Sequence, residues 1–117
     1  MNLGMIESRF ADIIWKNEPI SSSDIVKLAE REFNWKKSTT YTVLKRLCDK
    51  GVFQNNNGEV TALISRNDFY SKRSESFVDE EFGGSLPAFL AAFTRHKSLS
   101  EEEVAYLRRM IDEHKEG

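Results

Sequence analysis

A chain of 117 residues and 13.5 kDa has room for one domain, or for a small domain carrying an oligomerising tail. Its 39% hydrophobic and 31% charged residues exclude a wholly disordered or collagen-like chain. The net charge of −2 hides an uneven distribution, with nine Lys/Arg against eight Asp/Glu in residues 1–65 and eight against eleven in residues 66–117. Within the first half, residues 36–50 hold Lys36, Lys37, Lys45, Arg46 and Lys50 against Asp49 alone. Such a stripe matters more to phosphates than the whole-chain total, because salt screens interactions beyond about 8 Å. No apolar run reaches the roughly 18 residues of a membrane span and no basic-then-apolar leader is visible, so no membrane partner and a cytoplasmic location are expected. The single Cys48 excludes an intramolecular disulfide and any multi-cysteine metal cluster.

Ile6, Phe10, Ile13 and Ile14 recur at helical spacing and predict a first helix over about residues 5–16, with Trp15 closing its apolar face. Glu18-Pro19 ends it, since the residue before proline is pushed out of the helical region. Ser21, Ser22 and Ser23 offer N-caps for a second helix with the stripe Ile25, Leu28 and Ala29, ending near Phe33. Ser38 is expected to cap a third helix running to about Lys50, and Gly51 to supply its left-handed stop. Thr40, Val43, Leu44 and Leu47 fall at i, i+3, i+4 and i+7 and must face inward. The opposite face then presents Thr39, Thr42, Lys45, Arg46 and Asp49, a mainly basic, hydrogen-bonding surface. Ser and Thr are poor helix formers, so their crowding over residues 38–42 has a reason other than propensity.

Val52-Phe53-Gln54 and Glu59-Val60-Thr61-Ala62-Leu63-Ile64 flank Asn55-Asn56-Asn57-Gly58, and Asn-Gly is the strongest short hairpin signal. Three helices and a hairpin, in that order, predict a winged helix-turn-helix. Helical periodicity returns beyond Ile64. Ser65 and Asp68 begin one helix and Gly83-Gly84 breaks it; Ser85-Leu86-Pro87 starts a second, and the Ser100/Glu103 capping box starts the last. The fold class is therefore mainly α with a small β-hairpin, a winged helix over 1–65 and a helical dimerisation domain over 66–117. Phe69, Phe77, Phe82, Leu86, Phe89, Leu90, Phe93, Val104, Leu107 and Ile111 are too apolar for so short a tail to hide. They are expected to bury against a second copy, since aromatics are enriched at subunit interfaces.

The stretch from Trp35 to Leu47, with the Lys50-Gly51 exit, resembles the penicillinase-repressor (BlaI/MecI/CopY) family of transcriptional regulators. That family shows a Thr-Val-x-Thr-Leu-Leu-x-Arg-Leu core, in which Thr39, Thr42, Leu44, Arg46 and Leu47 match, Val43 is conservative and Thr40 replaces a Val. Ile14-Trp15 resembles its Leu-Trp pair, and Phe82-Gly83-Gly84-Ser85-Leu86 and Leu99-Ser100-Glu101-Glu102-Glu103 resemble its dimerisation half. The resemblance implies a homodimeric repressor of palindromic operator DNA, with the third helix in the major groove and the wing on the adjacent backbone. Lys36, Lys37, Ser38, Thr39, Tyr41, Thr42, Lys45, Arg46, Lys50, Asn56 and Asn57 are then the DNA-binding candidates. The wing lacks the basic residues of many members, and the cysteine-rich metal tail of copper-responsive members is missing. Protease-controlled members are cut at an Asn-Phe bond; Ala92-Phe93 stands in the corresponding place, so release by cleavage there is not expected, and an upstream sensor or protease stays unspecified.

Bland readings compete at several positions. Trp15 and Trp35 are expected in the core, as Trp commonly is. His96 and His114 lack partners at ligand spacing, and Glu101-Glu102-Glu103 reads as compensation of a helix dipole. Cys48 reads as a small filler, and a redox role would need a lowered pKa. No Gly-rich phosphate loop or nucleophile–base pair suggests an enzyme or a cofactor. A winged-helix protein-interaction module is the alternative to a DNA binder, because the fold alone does not fix function.

Overall fold

The structure, a computed structural model, describes residues 3–116 and divides into two compact units, Met1–Ser74 and Glu75–Gly117. The first unit opens with helix α1 (Met5–Asn17), which ends where Glu18 turns extended ahead of Pro19. Strand β1 (Ile20–Ser21) follows, then helix α2 (Ser22–Phe33). Ser21 does double duty: it pairs with Glu59 in the sheet, and its hydroxyl accepts from the Asp24 N–H at 3.1 Å as the α2 N-cap. A cap of this kind is worth about 1 kcal/mol. Asn34, left-handed at φ 56°, closes α2 by donating to the Ala29 and Glu30 carbonyls.

Helix α3 (Lys37–Asp49) begins one residue before the expected cap. Its N-cap is Lys36, with no side-chain capping bond, and Ser38 lies inside the first turn, where its hydroxyl cannot cap. Packing replaces the cap: Trp35, just upstream, stacks at 4.9 Å from the Phe33 ring and 5.2 Å from Phe10. At the other end Gly51, at φ 80°, donates to the Cys48 carbonyl while Val52 N–H reaches Leu47. Thr40, Val43, Leu44 and Leu47 are all buried, as their spacing requires. The Thr40 hydroxyl is satisfied by donating to the Lys36 carbonyl at 3.1 Å.

Strands β2 (Phe53–Asn56) and β3 (Glu59–Ala62) form the hairpin, with β1 added on the far side of β3 to make an antiparallel sheet of order β1-β3-β2. Asn57 and Gly58 both take positive φ, 52° and 92°, as a type I′ turn demands. Asn55 Oδ1 accepts from the Gly58 N–H at 2.9 Å and stiffens the tip. The sheet and three helices enclose a core that includes Phe10, Ile14, Ile25, Leu47, Val52, Phe53 and Val60. Trp15 joins it with its ring, near Phe53 and Phe69, and donates through Nε1 to the Ile64 carbonyl at 3.0 Å. Ile6 departs from its periodic place in this stripe; it stands near the start of α1 and is 46% exposed.

Helix α4 (Arg66–Phe82) starts from Ser65, whose hydroxyl accepts from the Asp68 N–H at 3.1 Å. The first unit runs past Ser65 because this part of α4 is fastened to α1. Phe69 is 3% exposed in the core, Arg66 pairs with Asp12 at 2.9 Å, and Arg73 donates to Ser8 Oγ and the Leu3 carbonyl. Phe69 therefore belongs to the core of the winged unit; so little of it is accessible that it cannot serve a partner surface.

In the second unit, Gly83 and Gly84 end α4 with positive φ, and Ser85 caps α5 (Leu86–Thr94) by accepting from the Ala88 N–H. Ser100 and Glu103 form a reciprocal capping box for α6 (Glu101–Glu116), at 3.0 and 3.1 Å. The rings of Phe77, Phe82, Phe89 and Phe93 gather at centroid distances between 5.6 and 6.2 Å. Yet no described residue of this unit is fully buried. No described helix of the chain is long and apolar enough to cross a membrane.

Candidate nucleic-acid interface

Burying the Thr40–Leu47 stripe of α3 leaves Ser38, Thr39, Thr42, Lys45, Arg46 and Asp49 exposed on the other side. The chemistry of this face depends on what each side chain already holds. The Thr42 hydroxyl donates to the Ser38 carbonyl at 2.9 Å, which leaves its oxygen free to act as an acceptor. Lys45 pairs with Asp49 at 3.1 Å, both largely exposed, and such a solvated pair is worth little and yields readily to a phosphate. Lys37 lies over the Tyr41 ring at 6.0 Å, and with Lys36 it continues the positive surface past the helix start. An N-terminal helix end favours anions in the same region.

Tyr41 faces the flank toward α2 and is half-buried, its hydroxyl 3.4 Å from Ser22 Oγ. Ser22 N–H donates to the Gly58 carbonyl at 2.8 Å, so one short chain of bonds joins α3, the start of α2 and the hairpin tip. Asn56 and Asn57 are exposed at that tip. The other flank faces α1. There Glu7, 20% exposed, lies 3.6 Å from Arg46 and 3.3 Å from Lys50. Arg46 keeps half its side chain in solvent, whereas Lys50 is withdrawn against α1. Glu7, and the link from Ser22 to Tyr41 and Gly58, act between elements distant in the chain, and no local spacing marks them.

Cys48 sits half-buried between the polar face and the core. Burial pushes its thiol above the ordinary value, Asp49 adds to the rise and Lys45 partly opposes it. A reactive sensor cysteine needs the opposite shift, since the thiolate is the nucleophile. Iodoacetamide at pH 8 is therefore expected to alkylate Cys48 more slowly in the folded protein than in urea. Faster reaction in the folded state would restore the sensor reading.

In the helical unit, Phe82, Phe89, Leu90, Val104 and Leu107 are half-buried, while Phe77, Leu86, Phe93 and Ile111 are about half exposed or more. Tyr106 and Met110 extend this apolar surface beyond the residues singled out by periodicity. Ala92-Phe93 lies within the last turn of α5, where the Ala92 carbonyl accepts from the Arg95 N–H.

The profile of the family described as penicillinase repressor matches residues 3–113. The chain belongs to the penicillinase-repressor family. It is 30% identical over 107 residues to a penicillinase repressor of Bacillus licheniformis, covering 88% of this chain and 84% of the relative. It is 24% identical over 110 residues to the methicillin resistance regulatory protein MecI of Staphylococcus aureus strain Mu50, covering 91% and 89%. A penicillinase repressor of Staphylococcus aureus is 21% identical over 117 residues, covering 97% and 93%. As a penicillinase-repressor family member with a winged helix, this protein is a transcriptional regulator of the repressor type.

Proposed function

We propose that this family member represses transcription in the cytoplasm by binding double-stranded DNA as a homodimer on a palindromic operator. The exposed face of α3 carries the reading. Short hydroxyls at Thr39 and Thr42 stand beside Lys45 and Arg46 on one rigid helix, with Lys36 and Lys37 at its start. Arg and Lys suit guanine edges and phosphates, and Ser/Thr side chains serve either. Helix α3 enters the major groove in this reading, and Asn56 and Asn57 at the wing tip meet the neighbouring backbone with neutral contacts. The helical unit 75–117, with its uncovered rings, supplies the dimer interface. Two-fold symmetry then requires half-sites separated by multiples of roughly 10–10.5 bp.

Selection of bound duplexes from a random pool tests this, followed by titration of the recovered sequence at several salt concentrations. Arg46→Ala and Lys45→Ala are each expected to weaken binding. Whichever side chain meets a guanine should lose about 1–3 kcal/mol and relax specificity at that base pair. One that meets only phosphate should weaken all sequences alike and flatten the salt dependence by about one unit. If both variants keep affinity and preference, α3 is not the reader. Binding that ignores salt would favour a protein-interaction module.

A further inference from the structure

Glu7, on α1, reaches two cations, Arg46 of α3 and Lys50 at the α3 C-cap. Its side chain is 20% exposed, with Oε1 at 3.6 Å from Arg46 Nη1 and Oε2 at 3.3 Å from Lys50 Nζ. Glu7 sits in the first turn of α1, and three residues on, Phe10 is fixed in the core. The backbone that carries the carboxylate is therefore anchored. Asp49, by contrast, answers Lys45 from the same helix face with both partners largely in solvent. That pair is easily exchanged for a phosphate, whereas the Glu7 cluster is partly shielded and ties α1 to the C-terminal end of α3.

We propose that Glu7 is a positioning residue for the DNA-reading face: it orients Arg46 and withholds part of the Arg46 and Lys50 charge from phosphates, restraining binding to unrelated sequence. This rests on the proposed DNA-binding function and deepens it. Two physical consequences follow. A guanidinium biased toward one orientation by a neighbouring carboxylate loses less freedom when it meets a base edge, which favours the cognate sequence. A neutralising carboxylate beside it opposes the sequence-independent phosphate attraction that supplies nearly all non-specific affinity. Together they widen the gap between cognate and unrelated DNA, at the expense of total affinity.

The test compares full-length wild type, Glu7→Gln and Glu7→Asp on two probes of roughly three helical turns. One probe is a duplex recovered from a random pool by the wild type; the other has an unrelated sequence of equal length. Glu7→Gln is expected to bind the unrelated probe about three- to tenfold more tightly at 0.1 M salt, with its log–log salt slope steeper by about 0.9, one further neutralised phosphate. Its preference for the recovered probe should shrink, since the recovered probe gains less. Glu7→Asp keeps the charge and should return the slope to that of the wild type. A merely structural ion pair would lower the melting temperature and weaken both probes alike with no change of slope; that result overturns the proposal, as does a Glu7→Gln protein indistinguishable from wild type. A wild type that recovers no duplex from the pool and does not bind the unrelated probe overturns the DNA-binding reading itself, which separates the two failures.

Discussion

A chain ending at Ser74 is expected to fold, to sediment as a monomer, and to bind a palindromic duplex about 10²–10⁴-fold more weakly than the full protein. The cut is placed at Ser74 because α4 contributes to the first core up to that point. Ending at Ile64 would remove Phe69 and Tyr70, whose rings lie 5.5 and 6.1 Å from Trp15, and with them the bonds from Arg73 to Ser8 and Leu3. What is lost beyond Ser74 is the apolar surface of residues 75–117. Phe77, Leu86, Phe93, Tyr106, Met110 and Ile111 are each about half exposed or more in a single chain, an arrangement costly in water unless a second copy covers it. Linking two reading heads makes the second half-site an intramolecular event, and severing the link removes that advantage of about 10²–10⁴. Sedimentation equilibrium and a binding titration check the two halves of the expectation separately. A dimeric fragment, or a full-length protein that is monomeric at micromolar concentration, would move the interface elsewhere.

Much of this architecture can be read from the residues, and the exceptions have a common cause. Caps and stops are local, so Ser21, Gly51, Asn57-Gly58, Ser85 and the Ser100/Glu103 box act where the chain suggests. The inward stripe of α3 is equally plain, because four apolar or small positions recur at helical spacing. Strand β1 was not legible. Two residues carry no period, and Ile20 becomes a strand only because Val60 pairs with it across the sheet. The start of α3 misled for a related reason: Ser38 has the chemistry of a cap, but the packing of Trp35 settles where the helix begins. Phe69 looked like its tail neighbours because one helical period runs through α4 without marking which turns cover the first core. Glu7 is the most instructive omission. Its sequence neighbours say nothing about Arg46 or Lys50, and only the tertiary fold brings them together.

Phe10→Ala is expected to destabilise the winged unit by about 3–5 kcal/mol, the range for emptying a buried aromatic site. Phe10 is fully buried on α1, with Phe33 at the end of α2 at 6.5 Å and Trp35 ahead of α3 at 5.2 Å. It thus occupies the place where the three helices meet. Total stabilities of small domains are about 5–15 kcal/mol, so the loss is a large fraction of the whole. The consequence reaches the exposed face of α3 as well. Helix α3 has no side-chain N-cap, and Trp35 against Phe10 and Phe33 is what defines its first turn. Removing Phe10 should therefore loosen Lys36, Lys37 and Thr39 even in molecules that remain folded. Thermal unfolding at fixed protein concentration should show a midpoint lower by more than about 10 °C. Phe10→Leu, which keeps most of the volume, should recover the greater part of the loss. Ile6→Ala offers the contrast: it shares the helical period of Phe10 but is 46% exposed, and its effect should stay within about 0.5 kcal/mol. Equal effects at Ile6 and Phe10 would contradict the packing described for α1, because of the two only Phe10 has a cavity to leave behind.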